Sequence, residues 1–142
     1  MDFGMPFLIE TGSPEECILL CKRLGFQFIE WNMNFPQCQP ENLQPDMLNE
    51  IRQRDNIYYT LHLEENINFS DFNKRVRRAY LETALLSIEL AKEIKAPVIN
   101  IHLAKGIFIT LPDGKRYLFE EYGELYRENT LYFRNECERA IG

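Results

Sequence analysis

The chain has 142 residues, 45% of them hydrophobic and 27% charged, which is the composition of a folded domain and not of a disordered one. Sixteen Lys and Arg against 22 Asp and Glu give a formal charge of −6, which argues against a nucleic-acid partner held by a dense basic face. No apolar run approaches the ~20 residues of a membrane helix, and Met1-Asp2-Phe3-Gly4 lacks the basic start of a signal peptide, so a cytoplasmic protein with no membrane partner is expected.

Strand and helix signals alternate along the chain. The first strand is expected over Phe3–Ile9. Ser13-Pro14-Glu15-Glu16 then reads as a capping box, with proline at the first helical position. The helix that follows carries Cys17, Leu20, Cys21 and Leu24 at one-face spacing, and Gly25 is placed to end it in a left-handed conformation. Phe26–Trp31 is aromatic and β-branched, hence a second strand. A polar loop, Asn32 to Gln44, precedes a short helix opened by Pro45, with Met47, Leu48 and Ile51 inward, ending near Asp55-Asn56.

The third strand is Ile57–Leu63. A polar loop from Glu64 to Asp71 leads to the longest helix, about Phe72 to Lys95, with an apolar stripe of Leu81, Ala84, Leu85, Ile88 and Ala91. Lys74, Arg75, Arg77 and Arg78 cluster at its start and read as a solvated helix face. Pro97 forces Ala96 out of the helical region, and Val98–Leu103 is the fourth strand. Two β-prone runs, Ile107–Leu111 and Lys115–Phe119, flank Pro112-Asp113-Gly114 and predict a β-hairpin. A final amphipathic helix runs from about Glu124 to Ala140. Four strand–helix units imply an α/β fold with a parallel sheet and one inserted hairpin.

The four cysteines form no CxxC pair, which disfavours a structural zinc site and suits buried thiols in a reducing compartment. The glycines match neither a dinucleotide fingerprint nor a P-loop, so no nucleotide cofactor is expected.

In parallel α/β folds, function collects at the carboxyl ends of the strands. Three polar residues stand there in otherwise apolar runs: Glu30, His62 and His102. The two histidines are the only ones in the chain, and Thr60-Leu61-His62-Leu63 and Asn100-Ile101-His102-Leu103 suggest one shared register. Both are candidate pocket residues and candidate metal ligands, or else satisfied core histidines. Two imidazoles are too few for a closed metal site, and Glu30 or Glu64 would have to add a third donor. Lys105, beside Gly106, is placed to meet an anionic group. Glu64 and Glu65 read as solvated, Trp31 as core packing more than substrate stacking, and Asn32 and Asn34 as loop residues within reach of a polyol.

These residues resemble the N-terminal half of the xylose isomerase-like TIM barrels, a superfamily holding sugar-phosphate isomerases and epimerases and the endonuclease IV group. The resemblance rests on Phe28-Ile29-Glu30-Trp31, on Leu61-His62-Leu63, and on the run from Leu86 through Ala96-Pro97-Val98-Ile99-Asn100-Ile101-His102. Lys95 stands where that pattern commonly has glycine, and Ala104-Lys105-Gly106 departs from its usual His-Pro-Gly ending. The resemblance implies four of the eight (β/α) units of a barrel, so that residues 1–142 are half a domain, and a divalent metal (Mn, Mg, Co or Zn) in the mouth. In the isomerases and epimerases it places that metal on Glu, Asp, His and Glu of strands five to eight. In the endonuclease IV group it makes the counterparts of His62 and His102 zinc ligands.

Three functions follow as expectations. The first is a sugar or sugar-phosphate isomerase or epimerase half, inactive alone, with Glu30, His62, His102 and Lys105 lining the substrate pocket. The second is an endonuclease IV-like zinc phosphoesterase. The third is a non-catalytic half-barrel that binds a partner or pairs with a second copy through its open sheet edges.

Overall fold

A computed structural model describes residues 1–142. The chain forms two compact units, the first made of residues 1–65 and 86–101, the second of residues 66–85 and 102–142. No helix is long and apolar enough to cross a membrane.

The first unit is built on a four-stranded parallel sheet of β1 (Gly4–Pro6), β2 (Phe28–Asn32), β3 (Tyr58–His62) and β4 (Ile99–Asn100), in that order. Between them come α1 (Pro14–Leu24) and α2 (Pro45–Asp55). The capping box forms at α1: Ser13 Oγ accepts the Glu16 N–H at 3.3 Å, and Pro14 opens the helix. Gly25 closes it at φ 71°, its N–H returning to the last carbonyls. The buried side chains of α1 are Cys17, Ile18 and Cys21: Cys17 and Cys21 of the expected stripe are inward, Leu20 is half-buried, and Ile18 is buried while Leu24 is exposed. On α2 the buried pair is Leu48 and Ile51, and Asn56 ends the helix at φ 53°.

Strand register decides which side chains reach which face. Ile29 pairs with Tyr59 and Trp31 with Leu61, and all four are buried. The Tyr59 hydroxyl donates to the Leu48 carbonyl at 3.2 Å, which fixes α2 on this face. Trp31 packs against Phe7 and Tyr59, so it is a core residue. The opposite face carries Phe28, Glu30 and Asn32, paired with Tyr58, Thr60 and His62.

The third helix, α3, is Lys74–Glu93. It closes through the Ala96 N–H to the Ala91 carbonyl at 2.8 Å, with Lys95 held at φ 56°. That left-handed φ is one that glycine, with no Cβ to clash, would take without strain.

The second unit holds the expected hairpin, β5 (Phe108–Leu111) against β6 (Gly114–Tyr117), and α4 (Gly123–Ile141). Lys115 lies over the Phe108 ring at 4.5 Å. Gly106 sits at φ 72°, a left-handed conformation that calls for glycine, with a Cβ position 3.2 Å from the Phe119 side chain. Phe69 stacks on Phe133 at 4.3 Å, and Ser70 hydrogen-bonds Thr130 at 2.7 Å. All four cysteines are free thiols, three of them buried.

Candidate functional site

The carboxyl ends of β2, β3 and β4 gather the polar residues of the first unit. Glu30 is half-buried on β2, and its Oε2 accepts a hydrogen bond from Asn100 Nδ2 of β4 at 2.5 Å, spanning β3. Between them stands Thr60, 7% exposed, whose Oγ1 is buried with no hydrogen-bond partner. His62 ends β3, half-buried, with its Nδ1 2.8 Å from the Leu63 carbonyl. A carbonyl only accepts, so in the neutral ring this contact puts the proton on Nδ1 and the lone pair on Nε2.

The register of the histidines is not the shared one expected. His62 pairs with Asn100, and the Leu63 N–H donates to the Asn100 carbonyl. β4 is only Ile99–Asn100, and His102 follows it by two residues, exposed and in the second unit. The sequence similarity of the two segments misleads because strand register is set by backbone ladders, here Leu61 N–H to Val98 O, and a two-residue slip preserves the face. Lys105 is likewise exposed in the second unit.

Asn32 turns its side chain onto its own loop, accepting from the Asn34 N–H at 2.9 Å and its amide at 2.7 Å. Asn34 in turn accepts the Glu65 N–H. Glu64 is not solvated: it is half-buried, takes a bond from Gln39 at 3.3 Å, and leaves Oε2 buried with no partner.

The donor set does not fit a divalent metal. No three His, Cys, Asp or Glu side chains converge anywhere in the chain. A four-ligand zinc site would need two further donors beside His62 and His102, and the residue opposite His62 is an amide. The arrangement suits hydrogen bonding instead. A carboxylate acceptor and an amide meet diagonally across β3, Glu30 in register with Thr60 and Asn100 in register with His62, able to meet the donors and acceptors of a polyhydroxylated ligand. Thr60 and Asn100 are the site residues the sequence did not single out; an Asn beside Ile and a Thr inside a β-rich run look like ordinary strand residues.

Comparison with solved structures identifies this architecture. The chain superposes on a D-tagatose 3-epimerase-like protein with a TM-score of 0.74 at 22% identity, over 99% of this chain and 50% of that one. The fold is half of a TIM barrel. The half-barrel also matches a D-psicose 3-epimerase in the presence of D-fructose (TM-score 0.68, 16% identity) and one from Clostridium cellulolyticum H10 with D-tagatose (0.65, 12%), again over 99% of this chain and 50% of theirs. No protein-family model matches the chain. A 100-residue stretch, 70% of the half-barrel, is 31% identical to the tRNA-2-methylthio-N(6)-dimethylallyladenosine synthase of Treponema pallidum, in strain Nichols and in one strain of subspecies pallidum. The half-barrel thus spans half the length of the epimerase structures and 21% of the curated relatives it matches.

Proposed function

We propose that the chain is the half of a sugar or sugar-phosphate isomerase or epimerase-like barrel that binds substrate, and that it does not turn substrate over alone. The observation that carries this reading is the Glu30–Asn100 hydrogen bond across β3, which presents a fixed carboxylate and amide at the strand ends where such barrels bind ligands. The proteins of like fold are named for D-tagatose and D-psicose epimerisation, which supports a ketose as the ligand class. In this role Glu30 and Asn100 hold hydroxyl groups, and Thr60 Oγ1 gains the partner it lacks. The carbon-bound proton is moved by groups outside residues 1–142, and any divalent metal is held there too.

Calorimetric titration with D-psicose, D-tagatose and D-fructose, and with a ketose phosphate, tests the reading. Binding of at least one ketose with millimolar affinity, weakened about fivefold by Asn100→Ala through loss of a charge-assisted network, is the expected result. A folded chain that binds none of them, or binds them equally without Asn100, overturns it.

A second reading draws on the sheet itself. β1 and β4 end it with no strand beyond them, and an open edge is a template for pairing. A non-catalytic half-barrel closing on a second copy predicts a dimer in sedimentation, irrespective of sugar.

A further inference from the structure

The second unit contains a cleft of about 540 Å³ between the first turns of α3 and the middle of α4. Its volume falls in the range of small-molecule pockets, ~300–1,000 Å³. Three features of its wall are unequal to plain surface.

The first is charge. Lys74, Arg77 and Arg78 line one side. Their spacing of three and four residues sets them on one helix face. Arg78 is paired with Glu82 at 2.9 Å. Lys74 and Arg77 have no carboxylate partner, and Arg77 Nη1 is fixed by the Asp71 carbonyl at 2.7 Å, which holds its guanidinium in place. In a chain of net charge −6 this is a local excess of positive charge. The second is an orphan donor. Asn129 on α4 lines the cleft, is 6% exposed, and its Nδ2 has no hydrogen-bond partner. A buried amide left unpaired is unfavourable, and such groups in native proteins await an explanation. The third is the floor. Leu81 and Phe133 are buried there, and Phe133 is braced by its stack on Phe69.

We propose that this cleft is a binding site for a small aromatic anion: a phosphate or carboxylate head meets Lys74 and Arg77, a ring lies on Leu81 and Phe133, and an acceptor oxygen takes the Asn129 amide. The cleft shares no residue with the sugar-binding face. It also gives the basic cluster of α3 a role that a solvated helix face does not provide.

The test is calorimetry on the whole chain with phenyl phosphate, benzoate, inorganic phosphate and neutral benzyl alcohol, with the side-chain amide resonances of Asn129 followed by NMR. Saturable binding of phenyl phosphate or benzoate, with the Asn129 amide signals shifting, is expected; which of the two binds tighter names the head group. Lys74→Gln, an exposed change that leaves folding intact, is expected to weaken binding about fivefold. Asn129→Ala is expected to do at least as much. Inorganic phosphate binding as tightly as phenyl phosphate, benzyl alcohol binding as tightly as either anion, or no binding by any probe, overturns the proposal. So does binding that Lys74→Gln leaves unchanged.

Discussion

The hydrogen bond between Glu30 and Asn100 is the part of the site most open to direct energetic measurement. A hydrogen bond to an ionised group contributes about 1.5–3 kcal/mol where it is shielded from water. Here Asn100 is exposed and Glu30 half-buried, which reduces the expected coupling to about 1 kcal/mol. The perturbation is a double-mutant cycle of Glu30→Ala, Asn100→Ala and the pair. Trp31 is the only tryptophan, fully buried and adjacent to Glu30, so its fluorescence during urea unfolding reports on the first unit alone. With a denaturant slope of about 1–3 kcal/mol/M, the coupling corresponds to a midpoint difference of about 0.5 M between observed and additive behaviour. A coupling below about 0.3 kcal/mol, the ordinary scatter of independent sites, would show that the two side chains do not hold each other in solution. The preorganised pair at the strand ends would then be lost as an argument for ligand binding.

Other consequences are equally open to measurement. Replacing the left-handed Lys95 with glycine removes a clash worth about 1–2 kcal/mol at the cost of extra freedom in the unfolded chain. Lys95→Gly should therefore raise the thermal midpoint by about 2–3 °C; a lowered midpoint would contradict the strained φ of 56°. Leu48→Ala deletes one of only two fully inward side chains of α2 and should cost about 3 kcal/mol, read by Trp31 fluorescence; a loss under about 1 kcal/mol would mean α2 is not docked as described. Burial pushes the Cys21 thiol up to about 11 and Cys38 up to about 12. Native protein at pH 8 should thus react slowly with an aromatic disulfide reagent and release its three buried thiols, Cys17, Cys21 and Cys38, only on unfolding. Hydrogen bonds from Arg54, then from Lys22, hold the Asp55 carboxyl down to about 2. A depressed folded value means its contribution is fully present above the unfolded value of about 4 and disappears as pH falls from there towards about 2. The stability difference between wild type and Asp55→Asn should vanish across that window.

Much of the scaffold is written in local chemistry. Ser13-Pro14 and Gly25 mark both ends of α1, Pro45 starts α2, and the turn at Pro112-Asp113-Gly114 forms the hairpin, because caps and turns depend on a handful of neighbouring residues. The site is less legible for the opposite reason. Glu30 and His62 stand out as polar residues in apolar strands, but the residue that binds Glu30 lies 70 positions away. Asn100 announces nothing by itself. His102 resembles His62 in its neighbours yet is offset by two positions, since neighbouring residues do not report which carbonyl a strand's amides will find. The basic face at the start of α3 is legible, with Lys74, Arg75 and Arg78 exposed as expected, whereas Asn129 and Phe133, which line the same cleft, lie about 50 residues further on.

The order of the sheet has a kinetic meaning. Every strand pairs only with its immediate predecessor and successor in the chain, so no ladder joins the two ends of the sequence. Each pairing closes a loop of a few tens of residues, and loop-closure entropy grows only slowly with length. During synthesis the β1–β2 pair can form with α1 already wound, and each later strand can add to the edge left waiting for it. Assembly can therefore proceed in the order of translation, one strand–helix increment at a time, with an exposed growing edge at every stage.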